Sequence, residues 1–62
     1  MKARDVKRIR AGVGLSQSEF AKLLGMPVRT LQEWEQGRSE PRAAAVTLLK
    51  LVESGKLKPP KR

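Results

Sequence analysis

The sequence predicts an all-α domain, on three observations. Apolar residues recur at spacings of three and four, and glycine and proline divide the chain into four short segments. One of those segments opens with a complete helix-capping sequence, Ser16-Gln17-Ser18-Glu19. No stretch alternates with period two, so no strand is expected.

The first helix is expected from about Ala3 to Ala11, with Val6, Ile9 and Val13 on one face and Gly12 and Gly14 supplying a stop and a turn. The second starts at Gln17. There Ser16 can accept from the Glu19 amide while the Glu19 side chain reaches back, and Leu15 and Phe20 stand where a hydrophobic staple stands. It places Phe20, Ala21 and Leu24 on one face and ends at Gly25, giving a helix over about 17–24. A helix so short needs tertiary packing to persist. The third is expected over about 27–36, with Pro27 at its first position, Leu31 and Trp34 facing inward and Gly37 beyond its end. The fourth opens at Pro41, carries the stripe Ala45, Leu48, Leu49 and Val52, and closes at Gly55. Residues 1–55 are thus read as one domain and residues 56–62 (KLKPPKR) as a basic, flexible tail.

Composition narrows the function. Sixty-two residues make a single small domain, and at 39% hydrophobic the chain is too apolar for a disordered segment. There is no cysteine, histidine or tyrosine, so disulfides, the usual metal sites and most nucleophile or acid–base chemistry lack their side chains. No catalytic residue, metal or cofactor is therefore expected, and no enzyme. No apolar run approaches the roughly 20 residues of a membrane span, so the chain reads as soluble and cytoplasmic. The net charge of +8 is held at the two ends, and residues 11–55 balance five bases against five acids. Charge alone therefore does not choose among polyanions. The bases Lys2, Arg4, Lys7 and Arg8 of the first helix are read mainly as a solvated face.

The informative feature is the pair of helices around Gly25, where a glycine allows the chain to reverse and the small Ala21 permits a close crossing. On the third helix Arg29, Gln32, Glu33 and Gln36 share the side opposite Leu31 and Trp34. Arginine can grip guanine O6 and N7, glutamine can pair with adenine, and glutamate can accept from cytosine N4. Val28 could touch a thymine methyl. Such a face suits base reading better than phosphate grip, which would come from Arg10, Gln17, Arg38, Arg42 and the amide end of the second helix.

At residues 15–41, LSQSEFAKLLGMPVRTLQEWEQGRSEP resembles the helix-turn-helix of the Xre, or lambda-repressor-like (Cro/CI-type), family. The preceding IRAGVG and the following PRAAAVTLLKLV extend the likeness across residues 9–52. The resemblance implies a compact four- to five-helix DNA-binding domain whose third helix enters the major groove. It implies that Gln17 clamps a phosphate, that Val28, Arg29, Gln32 and Glu33 face base edges, and that Thr30 and Arg38 touch the backbone. Trp34-Glu35, Gly37 and Pro41 resemble in particular the antitoxins of the HigA and MqsA type and small stand-alone regulators. Where the family usually caps its third helix with Ser or Thr, this chain has Met26-Pro27.

The expected function is a sequence-specific regulator of transcription, most simply a repressor, bound to duplex DNA at a pseudo-palindromic operator. The alternative is an antitoxin that neutralises a cognate toxin and autoregulates its operon. A homodimer is expected, because Ala44 and Leu51 widen the apolar arc of the fourth helix beyond what one small core needs. Trp34 is expected in the core, and Glu35 as a brace for loop amides or an arginine.

Overall fold

A computed structural model of the chain describes residues 1–59. Among them are four helices and no strand: α1 Ala3–Val13, α2 Gln17–Leu24, α3 Val28–Glu35 and α4 Ala43–Glu53. The chain is all-α, as its periodicity predicts. Helix α1 packs on both α3 and α4, and α2 packs on α3.

The apolar stripes read from the sequence meet in one core. Val6 and Ile9 come from α1, Phe20, Ala21 and Leu24 from α2, Leu31 and Trp34 from α3, and Leu49 and Val52 from α4. Phe20 and Leu31 are fully buried at its centre, and Trp34 is 6% exposed. Burying a large side chain of this kind stabilises by about 1.5–3 kcal/mol relative to leaving it in water, and these few residues dominate the hydrophobic stabilisation of so short a chain.

Helix boundaries differ from expectation at four places, each for a local reason. Helix α1 runs through Gly12 to Val13 and is capped at Gly14, whose N–H donates to the Ala11 carbonyl at 3.1 Å. A helical glycine costs about 1 kcal/mol relative to alanine, and the packing of Val13 against the core offsets it. Pro27 is the cap of α3 instead of its first residue: ψ of 142° keeps it extended, and its carbonyl accepts from Thr30 N at 3.1 Å. Pro41 lies two residues ahead of α4, which is capped by Arg42 with ψ of 174°; the Arg42 carbonyl accepts from Val46 N at 2.8 Å. After α4, the Lys56 and Leu57 amides both donate to the Leu51 carbonyl, and Leu57 packs on the core, so folded packing continues past residue 55. Of the expected tail, Pro60, Lys61 and Arg62 lie outside the described residues.

The turn that positions the site is short. Gly25 ends α2 with φ of +72°, and its N–H donates to the carbonyls of Ala21 and Lys22. A side chain at Gly25 would meet no atom within 4 Å, so it is the left-handed backbone alone that requires glycine. Met26 N then donates to Ala21 O at 3.0 Å, closing the turn before Pro27 starts the next helix.

Candidate nucleic-acid interface

The site is built around a buried carboxylate. Glu35, in the last turn of α3, is 4% exposed. Its oxygens accept from Arg10 Nε at 2.7 Å, Arg10 Nη2 at 3.0 Å and Gln17 Nε2 at 3.1 Å. Arg10 also donates through Nη1 to the Leu15 carbonyl at 3.1 Å. One carboxylate therefore joins the end of α1, the start of α2 and the end of α3. Burial alone would push the Glu35 carboxyl upward; the hydrogen bonds from Arg10 and Gln17, with the nearby charges of Arg10 and Lys7, outweigh it and hold the group below the usual carboxylate range. Hydrogen bonding to Glu35 raises Arg10 in turn.

The start of α2 is fixed by the expected capping box. Ser16 Oγ accepts from Glu19 N at 3.1 Å, and a Glu19 oxygen accepts from Ser16 N at 3.0 Å. Leu15 packs on the core, of which Phe20 is a buried member. Gln17 is thus held by its backbone in the first turn and by its side chain on Glu35. One of its two amide hydrogens is engaged there, which leaves the other and the carbonyl oxygen for a ligand.

Helix α3 turns Leu31, Trp34 and Glu35 inward. Its opposite side carries Arg29 and Gln36, both exposed, flanked by the half-buried Gln32 and Glu33. Val28 is half-buried and packs partly on the core, so it offers only part of its surface, and Thr30 is half-buried on the other flank. The turn after α3 is anchored to it, Arg38 N donating to Glu33 O at 3.0 Å. Arg38 and Arg42 are exposed, and among the described residues neither forms an ion pair.

The structure therefore brings Arg29, Gln32 and Glu33 onto one face, with Val28 and Thr30 at its edges and Arg38 just beyond its end. Arg10, expected on phosphate, turns three N–H groups inward; Glu35 is the expected brace for an arginine, and the arginine it meets is Arg10, 25 residues away. Ala44 and Leu51 lie about two turns apart on one flank of α4, exposed and half-buried, and neither packs on the core. No helix among the described residues is long and apolar enough to cross a membrane.

The sequence profile of the helix-turn-helix family matches residues 6–54. This span takes in all of α2, α3 and α4 and most of α1. The chain belongs to the helix-turn-helix family. Two relatives within reach of it are informative. Antitoxin HigA-2 of Vibrio cholerae serotype O1 (strain ATCC 39315 / El Tor Inaba N16961) is 51% identical over 49 residues, which cover 79% of this chain and 47% of the relative. The uncharacterized HTH-type transcriptional regulator YiaG of Escherichia coli (strain K12) is 34% identical over 50 residues, 81% of this chain and 52% of the relative. The chain spans about half the length of the curated relatives it matches.

Proposed function

We propose that this helix-turn-helix protein is a sequence-specific regulator of transcription, acting as a repressor with α3 in the major groove of duplex DNA. The observation that carries the proposal is the outward face of α3. It presents Arg29, Gln32 and Glu33, hydrogen-bonding side chains able to address guanine, adenine and cytosine edges, on a helix pinned to α1 and α2 through Glu35. Val28 adds an apolar contact at the leading edge. Gln17, Thr30, Arg38 and Arg42 hold the phosphates on either side, and Arg10, its charge met by Glu35, holds Gln17 in place through that carboxylate.

A homodimer meeting along the Ala44 and Leu51 flank of α4 would place two reading helices about 34 Å apart on a pseudo-palindrome. The test is fluorescence anisotropy with the DNA upstream of its own gene and a shuffled duplex, at about 150 mM salt. A preference of at least about a thousandfold is expected. Equal, salt-sensitive binding to both would refute sequence-specific regulation.

One observation favours a second reading. The relative that is 51% identical is named as an antitoxin. On that reading the chain neutralises a cognate toxin and regulates its own operon as a consequence. It predicts stable co-purification with the product of the adjacent gene, and absence of any such complex would dismiss it.

A further inference from the structure

The start of α1 and the turn between α3 and α4 form the two walls of a groove of about 470 Å³. Lys2, Ala3 and Arg4 line one side, and Gly37, Ser39 and Glu40 the other. The sequence suggested no such meeting, and its bases on α1 read as a solvated face. The structure separates those bases. Arg8 is occupied by Glu53 at 2.8 Å and Asp5 at 3.8 Å. Among the described residues, the side chains of Lys2 and Arg4 form no ion pair, and both are exposed along the groove.

We propose that this groove takes a backbone phosphate of duplex DNA flanking the base-reading site, with Lys2 and Arg4 as its cations and Ser39 as a hydroxyl donor. The inference rests on the proposed insertion of α3 in the major groove. The turn carrying Ser39 begins immediately after α3 and is tied to it through the Arg38 amide and the Glu33 carbonyl. A duplex lying against α3 would pass its backbone near this turn, which forms one wall of the groove. The chemistry matches. A phosphodiester presents a single negative charge and acceptor oxygens only, and the ammonium, guanidinium and hydroxyl groups offer it donors. Glu40 opposes it, but its side chain is 73% exposed and its carboxylate lies 4.0 Å from the Met1 ammonium, which offsets its charge, and the side chains of Lys2 and Arg4 outnumber it. The footprint would then extend from the Arg38 and Arg42 contacts to the start of α1.

The experiment compares the salt dependence of binding to the protein's own upstream duplex for three proteins. These are the unaltered chain, the double variant Lys2→Gln/Arg4→Gln, and the control Lys50→Gln/Lys56→Gln, which removes the same charge from exposed sites elsewhere. Each phosphate contact contributes about 0.9 to the slope of log K against log salt. The double variant is expected to lose about 1 from that slope and one flanking phosphate from an ethylation-interference pattern, with little change in the control. Glu40→Gln, which leaves α1 untouched, is expected to tighten binding several-fold. An unchanged slope in the double variant, or an equal loss in the control, would overturn the groove while specific binding by the unaltered chain stands. If the unaltered chain prefers no duplex, the proposed base reading fails and the groove fails with it.

Discussion

Arg10 on α1 and Glu35 on α3, separated by 25 residues in sequence, are joined by two N–H···O bonds of 2.7 and 3.0 Å, and the Glu35 oxygen that takes the longer one also accepts from Gln17. The pair is the mechanical link between the core and the proposed interface. It fixes the far end of α3 against α1 while α2 is held at its near end by the Gly25 turn. Because Glu35 is 4% exposed, its charge is tolerated only in the presence of these donors.

Removal of one partner should accordingly be costly. Arg10→Met leaves a buried carboxylate with one donor from Gln17, and breaking a buried pair in this way costs about 3–5 kcal/mol. The Arg10 side chain is 26% exposed, so a value toward the lower part of that range is expected. Replacing both residues, as Arg10→Met with Glu35→Leu, should recover much of the loss. Chemical denaturation of the single and double variants measures this, and a single variant as stable as the parent chain would show the pair to be dispensable.

The same network sets a pH dependence. A carboxyl held below its unfolded value takes up protons more readily when the chain unfolds, so its stabilisation is present above the unfolded value of about 4.3. As pH falls through the lower, folded value, that stabilisation is lost. Thermal melting should therefore be nearly flat from pH 7 to about 5 and fall below about 4. In Glu35→Gln the fall should be shallower, the remainder reflecting Asp5, whose carboxyl is also held down, first by a hydrogen bond from the Lys2 amide. An identical acid limb in the two proteins would show that Glu35 is not the group responsible.

Gly25 offers a test of backbone against packing. Its φ of +72° costs an alanine about 1–2 kcal/mol, although a methyl group there touches nothing within 4 Å. Gly25→Ala should thus fold with a lowered melting temperature and with unchanged contacts around Phe20 and Leu31. A methyl group tolerated without loss would mean that the turn relaxes to negative φ.

Substitutions on the proposed interface should separate by kind. Arg29→Ala and Gln32→Ala should each cost about 1–3 kcal/mol and relax preference at one or two base positions. Arg42→Ala should weaken all duplexes alike and flatten the salt dependence by about 1. Gln17→Ala should also weaken all duplexes alike, and since it leaves Glu35 one donor short it should lower stability as well. Binding selections over randomised sites report the first outcome and salt titrations the second. Arg29→Ala with unchanged base preference would place the reading face elsewhere.

The local sequence by itself determined the helices and their phases. A capping box, a stripe of Phe20, Ala21 and Leu24, and a glycine at the turn act within one or two turns of chain, so α2 was legible to the residue. The same holds for the inward side of α3 and for the polar side opposite it. Proline was less decisive, because its φ near −65° suits both a cap and a first helical residue and only ψ distinguishes them; hence the shifted starts of α3 and α4. What only the tertiary structure decided was the partnership of charged side chains. Glu35 was legible as a brace for loop amides or an arginine, yet that Arg10 and Gln17 are the groups it meets depends on how three helices cross. The same crossing sends Lys2 and Arg4 to the α3–α4 turn and Arg8 to Glu53. Helical periodicity is short-ranged and leaves a repeating mark in sequence, whereas an ion pair across 25 residues leaves none until hydrophobic packing brings its ends together.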